Sequence, residues 1–337
     1  MIDNKGGYFM ESVIKPKLND VQLDLLVKSA FGAATAINRV TELTAGMFNT
    51  GYDLELNDGR SVILKVAPSA EAETLSCEKD IMRTEVEALR LIRVTGLVPV
   101  PEVFSYDLSL KLIPYPYFFM EKIEGQPYNE IKEGLSPQER EAIETQIGRY
   151  NRCINEVKGE HFGYFHQVRS GQTSTWRATF GVMIDNLLQD GERLGVGLPV
   201  AYAEIREKIN TQLPALDEVT QPRLVHWDLW NGNVFVKDGI ITAIIDWERA
   251  LWGDELIEYY CRRHENSPAF YQGYGMTIDS PNQRARNKLY DLYFDLIMVI
   301  ECYSRKYEDQ GHVKWTQDNF VQGWTIFCGK EETGSVV

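Results

Sequence analysis

Between Leu224 and Glu248 the chain reads LVHWDLWNGNVFVKDGIITAIIDWE. Two apolar runs, VFV and ITAII, flank a Lys237-Asp238-Gly239-Ile240 turn, the pattern of a short hairpin. His226, Asp228, Asn231, Asn233, Asp246 and Glu248 sit toward its open end. Folding the run at Asp238-Gly239 sets Asn233 roughly opposite Ile244, with Asp246 just beyond. Asp228 then lies in the loop that enters the hairpin. Two carboxylates and an amide oxygen converge, a hard-oxygen set that suits Mg²⁺, which takes a few protein oxygens and keeps the rest for water and phosphate. Asn and Asp can also satisfy themselves on local backbone. Asn231, placed before Gly232, fits that turn role. For Asp228, Asn233 and Asp246 together, one cation and one phosphate satisfy three polar groups that burial would otherwise leave costly.

These groups need elements to hold them. Val21, Leu23, Leu25, Leu26 and Phe31 recur near helical spacing, predicting a helix over 19–31 with Asn19 or Asp20 as N-cap. A meander follows, with a strong hairpin signal at Asn57-Asp58-Gly59. EKDIMRTEVEALRLIRVTGL is a helix ended by Gly96. VPVPEVFSYD and PYPYFFMEKIEG read as strands. From Ser136 onward the chain is mostly helical, and Ser136, Pro137 and Glu139 open that part as a capping box. Strands come before about Gly125 and helices after it.

His226-x-Asp228-x-x-x-x-Asn233, followed by Ile244-Ile245-Asp246, resembles the catalytic loop and metal-binding strand of aminoglycoside phosphotransferases, small-molecule kinases with the protein-kinase-like fold. The spacing is shared with the H-R-D-x-x-x-x-N loop of protein kinases. The resemblance, over roughly residues 35 to 330, implies an α+β two-lobed fold. An N-lobe over 1–121 would hold an antiparallel sheet with a helix, and a C-lobe over 122–330 would be mainly helical. Residues 331–337 would form a disordered tail. The resemblance further implies that Asp228 takes the base position, that Asn233 and Asp246 hold Mg²⁺, and that His226 braces the loop. Lys65 in SVILKVAP would bind phosphates of ATP or GTP, positioned by Glu85, with Glu78 and Glu87 as competitors. The linker YFFMEKIEGQ would meet the adenine edge through the Glu121 carbonyl and the Ile123 amide. Asn49 or Thr50, in TAGMFNTGYDL, would touch phosphate, although an ordinary turn accounts for them as well. That loop lacks the G-x-G-x-x-G of protein kinases, and Asp246-Trp247-Glu248 replaces Asp-Phe-Gly, so a glycine-based activation switch is not expected.

The implied reaction is phosphoryl transfer to a hydroxyl of a small molecule, an antibiotic in the first instance. A homoserine, choline or thiosugar kinase would carry the same motifs, and a nucleotide-binding pseudokinase stands behind both. Glu248, Asp254 and Glu258 are candidates to bind a cationic acceptor, Asp254 and Glu258 sharing a face at helical spacing; a solvated helix face is the competing reading. Trp227, Trp230 and Trp252 suit either ring stacking or core packing.

Bulk composition bounds the rest. The 337 residues carry 35 basic and 49 acidic groups, a net charge of −14, which disfavours a nucleic-acid partner. Hydrophobic content of 44% is that of a globular protein. Five cysteines, widely spaced and without a C-x-x-C pair, suggest reduced thiols and a cytoplasmic protein. No signal-like N-terminus and no long apolar window are visible, so no membrane partner is expected. Monomer and homodimer both remain open, as do Met1 and Met10 as starts.

Overall fold

Strand periodicity sorts the N-terminal residues onto two faces. In the computed structural model, which describes residues 15–44, 48–69, 71–165, 175–262 and 267–329, the Asn57-Asp58-Gly59 signal is a hairpin turn. Gly59 takes φ +88°, a left-handed value that glycine adopts at little cost. Upstream lie α1 (Asp20–Phe31), capped by Asn19, and β1 (Ile37–Leu43). The turn joins β2 (Thr50–Leu56) to β3 (Ser61–Val66). Alternate residues Tyr52, Leu54 and Leu56, with Val62, Leu64 and Val66, point to one face, where they pack with Leu23, Leu26 and Val27 of α1. Ile63 and Lys65 therefore point to the other.

That second face is covered by α2 (Ile81–Thr95), whose Met82, Val86, Leu89 and Ile92 recur at helical spacing and are buried. Two further strands, β4 (Val103–Asp107) and β5 (Tyr117–Glu121), complete an antiparallel sheet of order β1-β2-β3-β5-β4. Glu85 lies on the buried side of α2 and is 0% exposed. A carboxylate there requires a partner.

After the linker come β6 (Gln126–Pro127), α3 (Tyr128–Ile131) and α4 (Pro137–Glu156), the last opened by the capping box at Ser136. Next are β7 (Gly163–Tyr164), α5 (Trp176–Arg193), α6 (Tyr202–Gln212) and β8 (Arg223–Val225). The hairpin is β9 (Val234–Lys237) with β10 (Ile240–Ile244); it pairs Ile244 with Val234, one place from the expected Asn233. β11 (Leu251–Gly253) sits between β7 and β8. The described chain closes with α7 (Pro268–Tyr274), α8 (Pro281–Ser304) and α9 (Gln310–Phe327), the last capped by Asp309. α8 is buried along much of its length and is the axis of the lower core. The expected tail, residues 331–337, lies outside the described residues. Among those described, no helix is long and apolar enough to cross a membrane.

Candidate active site

The hairpin and β3 deliver their polar groups to one cleft. Lys65 Nζ lies 2.5 Å from Glu85 Oε1 and also contacts Asp246 Oδ1. Glu85 is thus the helix partner of the lysine. Glu78 instead pairs with Arg305, and Glu87 with Arg83 at 2.7 Å. Burial opposes the Lys65 charge, but Asp246 and Glu85 outweigh it and hold its pKa above the ordinary lysine value. Burial raises the Glu85 carboxyl, with Lys65 pulling the other way. Such an ion pair holds together because each charge has its counterion.

Asp246 has φ 59° and ψ 60°, the left-handed region, in a residue that is not glycine. Trp227 does the same at φ 64°. Both backbones are over-determined by neighbours, and both flank the chemistry. Trp247 is buried and donates Nε1–H to Ile244 O at 3.0 Å, which fixes the turn after Asp246. Trp227 stacks on Tyr293 of α8, with ring centroids 5.4 Å apart. Trp252 stacks on Phe165. Trp230 is 44% exposed, and its ring lies against Gly232, where any Cβ would collide with it.

His226 is hydrogen-bonded to the loop that carries Asp228 and to the strand end before Asp246. Its Nδ1 accepts from the Asp228 N–H at 3.2 Å, so its proton sits on Nε2 and is shared with Ile245 O at 2.9 Å. Burial lowers its pKa to about 4, which keeps the ring neutral. Asn233 donates Nδ2–H to the Asp228 carbonyl at 2.8 Å and to its Oδ2 at 3.2 Å. The amide is thereby oriented, and its oxygen remains as the acceptor end. Burial pushes the Asp228 carboxyl up to about 7, opposed by the Arg249 guanidinium and assisted by Asp246. Arg249 is itself held by Glu301 at 2.8 Å.

Asn233 Oδ1 and the carboxylate of Asp246, which contacts Lys65, are hard oxygens of the kind that Mg²⁺ takes. Among the described residues no group of three His, Cys, Asp or Glu is placed to hold a metal. An ion held by these two residues would have to take most of its ligands from water and phosphate oxygens, the usual habit of Mg²⁺.

Two candidates do not reach the cleft. Asp254 is 5% exposed and pairs with Arg286 at 2.8 Å and with the Tyr290 hydroxyl at 2.7 Å. Glu258 is 2% exposed, in a 3₁₀ helix (Glu255–Arg262), and accepts the backbone N–H of His226 at 2.6 Å and of Trp227 at 3.3 Å. The expected acidic acceptor face is therefore not formed. Burial commits both carboxylates to the interior, and Glu258 anchors the catalytic loop from below. Sequence reading missed that anchor, although the apolar flanks in LIEYY signal burial. Glu248 does reach the cleft, where its Oε2 accepts from Asn49 Nδ2 at 3.0 Å.

Thr50 is 1% exposed and donates its hydroxyl to Pro16 O at 2.9 Å, so that group is spent away from the cleft. Glu121 closes β5, with its N–H donated to Glu102 O at 2.8 Å. Ile123 is half-buried. It lines a cavity of about 910 Å³ where the linker meets the β9–β10 turn, alongside Lys122, Gln126, Ile143 and Gly239. The chemistry lies elsewhere: none of the cleft residues named above lines that cavity.

A five-stranded sheet over a helical lobe, a strand lysine paired to a helix glutamate, and an Asp-x-x-x-x-Asn loop facing a strand-end aspartate define a two-lobed small-molecule kinase fold. The model of the phosphotransferase enzyme family matches residues 39–275, and the chain belongs to that family. A hygromycin-B 4-O-kinase from Escherichia coli is 21% identical over 246 residues, 72% of this chain and 66% of that protein. A subtelomeric hrmA-associated cluster protein of Aspergillus fumigatus is 27% identical over 135 residues, 39% of this chain and only 25% of its own length. Among solved structures, a thermostable mutant of aminoglycoside phosphotransferase APH(4)-Ia in ternary complex with ADP and hygromycin B has a TM-score of 0.64 at 18% identity, covering 93% of this chain and 100% of that one. The streptomycin–ATP–APH(2")-IIa complex has a TM-score of 0.61 at 17% identity, covering 91% and 97%.

Proposed function

We propose that the protein is an O-phosphotransferase that moves the γ-phosphoryl group of ATP or GTP to a hydroxyl of a small molecule. The observation that carries this reading is the cleft itself, where Lys65 bridges Glu85 and Asp246 beside Asp228 and Asn233. Lys65 binds the α- and β-phosphates, and Glu85 fixes its position. Glu121 and Ile123 offer backbone groups to the base, and Asn49 offers a side-chain N–H to phosphate. Asn233 and Asp246 would hold Mg²⁺, which would neutralise charge on the phosphates. Asp228 orients the acceptor hydroxyl and takes its proton late in the transfer. A carboxyl pushed up to about 7 is a better proton acceptor than an ordinary aspartate. His226 stays neutral and holds the loop. Positioning and electrostatics supply most of the acceleration.

The acceptor we favour is a hydroxylated antibiotic, with phosphorylation conferring resistance. Support comes from the family and from the relatives that bear hygromycin B in their names. The alternative is a metabolite kinase for homoserine, choline or a thiosugar. The test is nucleotide-diphosphate release across a panel of both classes, with inhibitory concentrations measured in a susceptible host. Unchanged inhibitory concentrations together with turnover on a metabolite would overturn the antibiotic reading. No turnover on any acceptor, with intact Mg–nucleotide binding, would leave a pseudokinase. The site is read as that of a cytoplasmic protein, either monomer or homodimer.

A further inference from the structure

Glu248 and Asn49 are 199 residues apart in sequence, yet they meet across the cleft at 3.0 Å. Asn49 is 8% exposed, and its Oδ1 is buried without a hydrogen-bond partner. Its neighbour Phe48 is 5% exposed, with the Arg305 guanidinium 5.1 Å above its ring. Arg305 is 3% exposed and fixed by Glu78 and Glu301. The loop leading into β2 is thus pinned to the lower lobe at two adjacent residues, one of them through a carboxylate two positions beyond Asp246.

We propose that Glu248 is a displaceable latch: on Asn49 it occupies the place that a phosphate oxygen of the nucleotide takes, and nucleotide entry exchanges one anion for the other. This rests on the nucleotide reading of the cleft. The chemistry is a competition of two anions for one N–H donor, since a carboxylate oxygen and a phosphate oxygen cannot both sit within bonding distance of the same hydrogen. The latch holds Asn49 to Glu248 while nucleotide is absent, and its strength subtracts from nucleotide affinity.

The test is calorimetric titration of the full chain and of E248Q, E248A, N49A and N49A/E248A with the Mg²⁺ complex of a non-hydrolysable ATP analogue, and separately with adenosine. The expected result is tighter Mg–nucleotide binding by E248Q, tighter still by E248A, reaching on the order of tenfold, the scale of one charge-assisted hydrogen bond. Adenosine binding stays unchanged, because it carries no phosphate. In the N49A background, E248A gives no further gain, because the latch acts through Asn49. Equal or weaker Mg–nucleotide binding by E248Q and E248A overturns the proposal. So does the same gain in the N49A background, which would reduce Glu248 to a through-space charge. Failure of the unaltered chain to bind any Mg–nucleotide overturns the nucleotide reading itself, and the latch with it.

Discussion

Replacing Asp228 by Asn should make the protein more stable and nearly inactive. The carboxyl is pushed up to about 7 by burial. The folded state therefore holds this proton more tightly than the unfolded chain, where an aspartate titrates near ~3.9. Stability is lost as pH rises from about 4 through about 7 and does not return above it. Each pKa unit corresponds to ~1.4 kcal/mol, so some three units set a ceiling of roughly 4 kcal/mol. Asp228 is only partly buried, and solvent screening brings the working figure to about 1–2 kcal/mol. Asparagine removes the charge and keeps an oxygen for Asn233 Nδ2. In a metal-free buffer at pH 8 the variant should melt roughly 1–3 °C above the unaltered chain. The difference should vanish by about pH 4, where both side chains are neutral. Mg–nucleotide binding should persist, while kcat falls on the order of 10²-fold or more. A variant that melts lower at pH 8, or one that turns over normally, would refute the reasoning, the first for the electrostatics and the second for the role of Asp228.

Asp246→Ala should abolish Mg-dependent nucleotide binding, and unchanged Mg-dependence in a fluorescent-nucleotide titration would remove Asp246 from the metal set. Lys65→Ala should lower kcat/KM far more than it lowers the melting temperature, because burial drives Glu85 to its neutral form once its counterion is gone and Asp246 keeps contact with solvent; steady-state kinetics beside thermal melts decide this, and unfolding without loss of specific activity would contradict it. Glu258→Ala leaves the His226 and Trp227 N–H groups unsatisfied and should cost about 2–3 kcal/mol in denaturant unfolding, with Glu258→Gln recovering part of it. A neutral effect of Glu258→Ala would mean that the catalytic loop stands without its anchor.

What the sequence made legible was local. The alternation in VFVKDGIITAII, together with the turn residues, was enough to bring Asn233 and Asp246 to one end of a hairpin. Glu85 was favoured over Glu87 and Glu78 by resemblance alone, and the choice among them needed the helix in place, where Glu85 is on the buried side. Asp254 and Glu258 were misassigned because a buried carboxylate and an exposed one are written alike, and their partners Arg286, Tyr290 and the His226 backbone lie 32 to 36 residues away. The Arg305–Glu78 pair spans 227 residues and has no local pattern at all. Asn49 meeting Glu248 is of the same kind.

Glu78, Arg305, Glu301 and Arg249 form a run of alternating charge from the segment just before α2, through the end of α8, to the residues after Asp246. A bolt of this kind decides what the enzyme cannot do. Kinases that are turned on and off by swinging their glutamate helix need that helix to part from the other lobe cheaply. Here parting would strand buried ions, at a cost of several kcal/mol. Movement of that helix is therefore a poor switch for this fold.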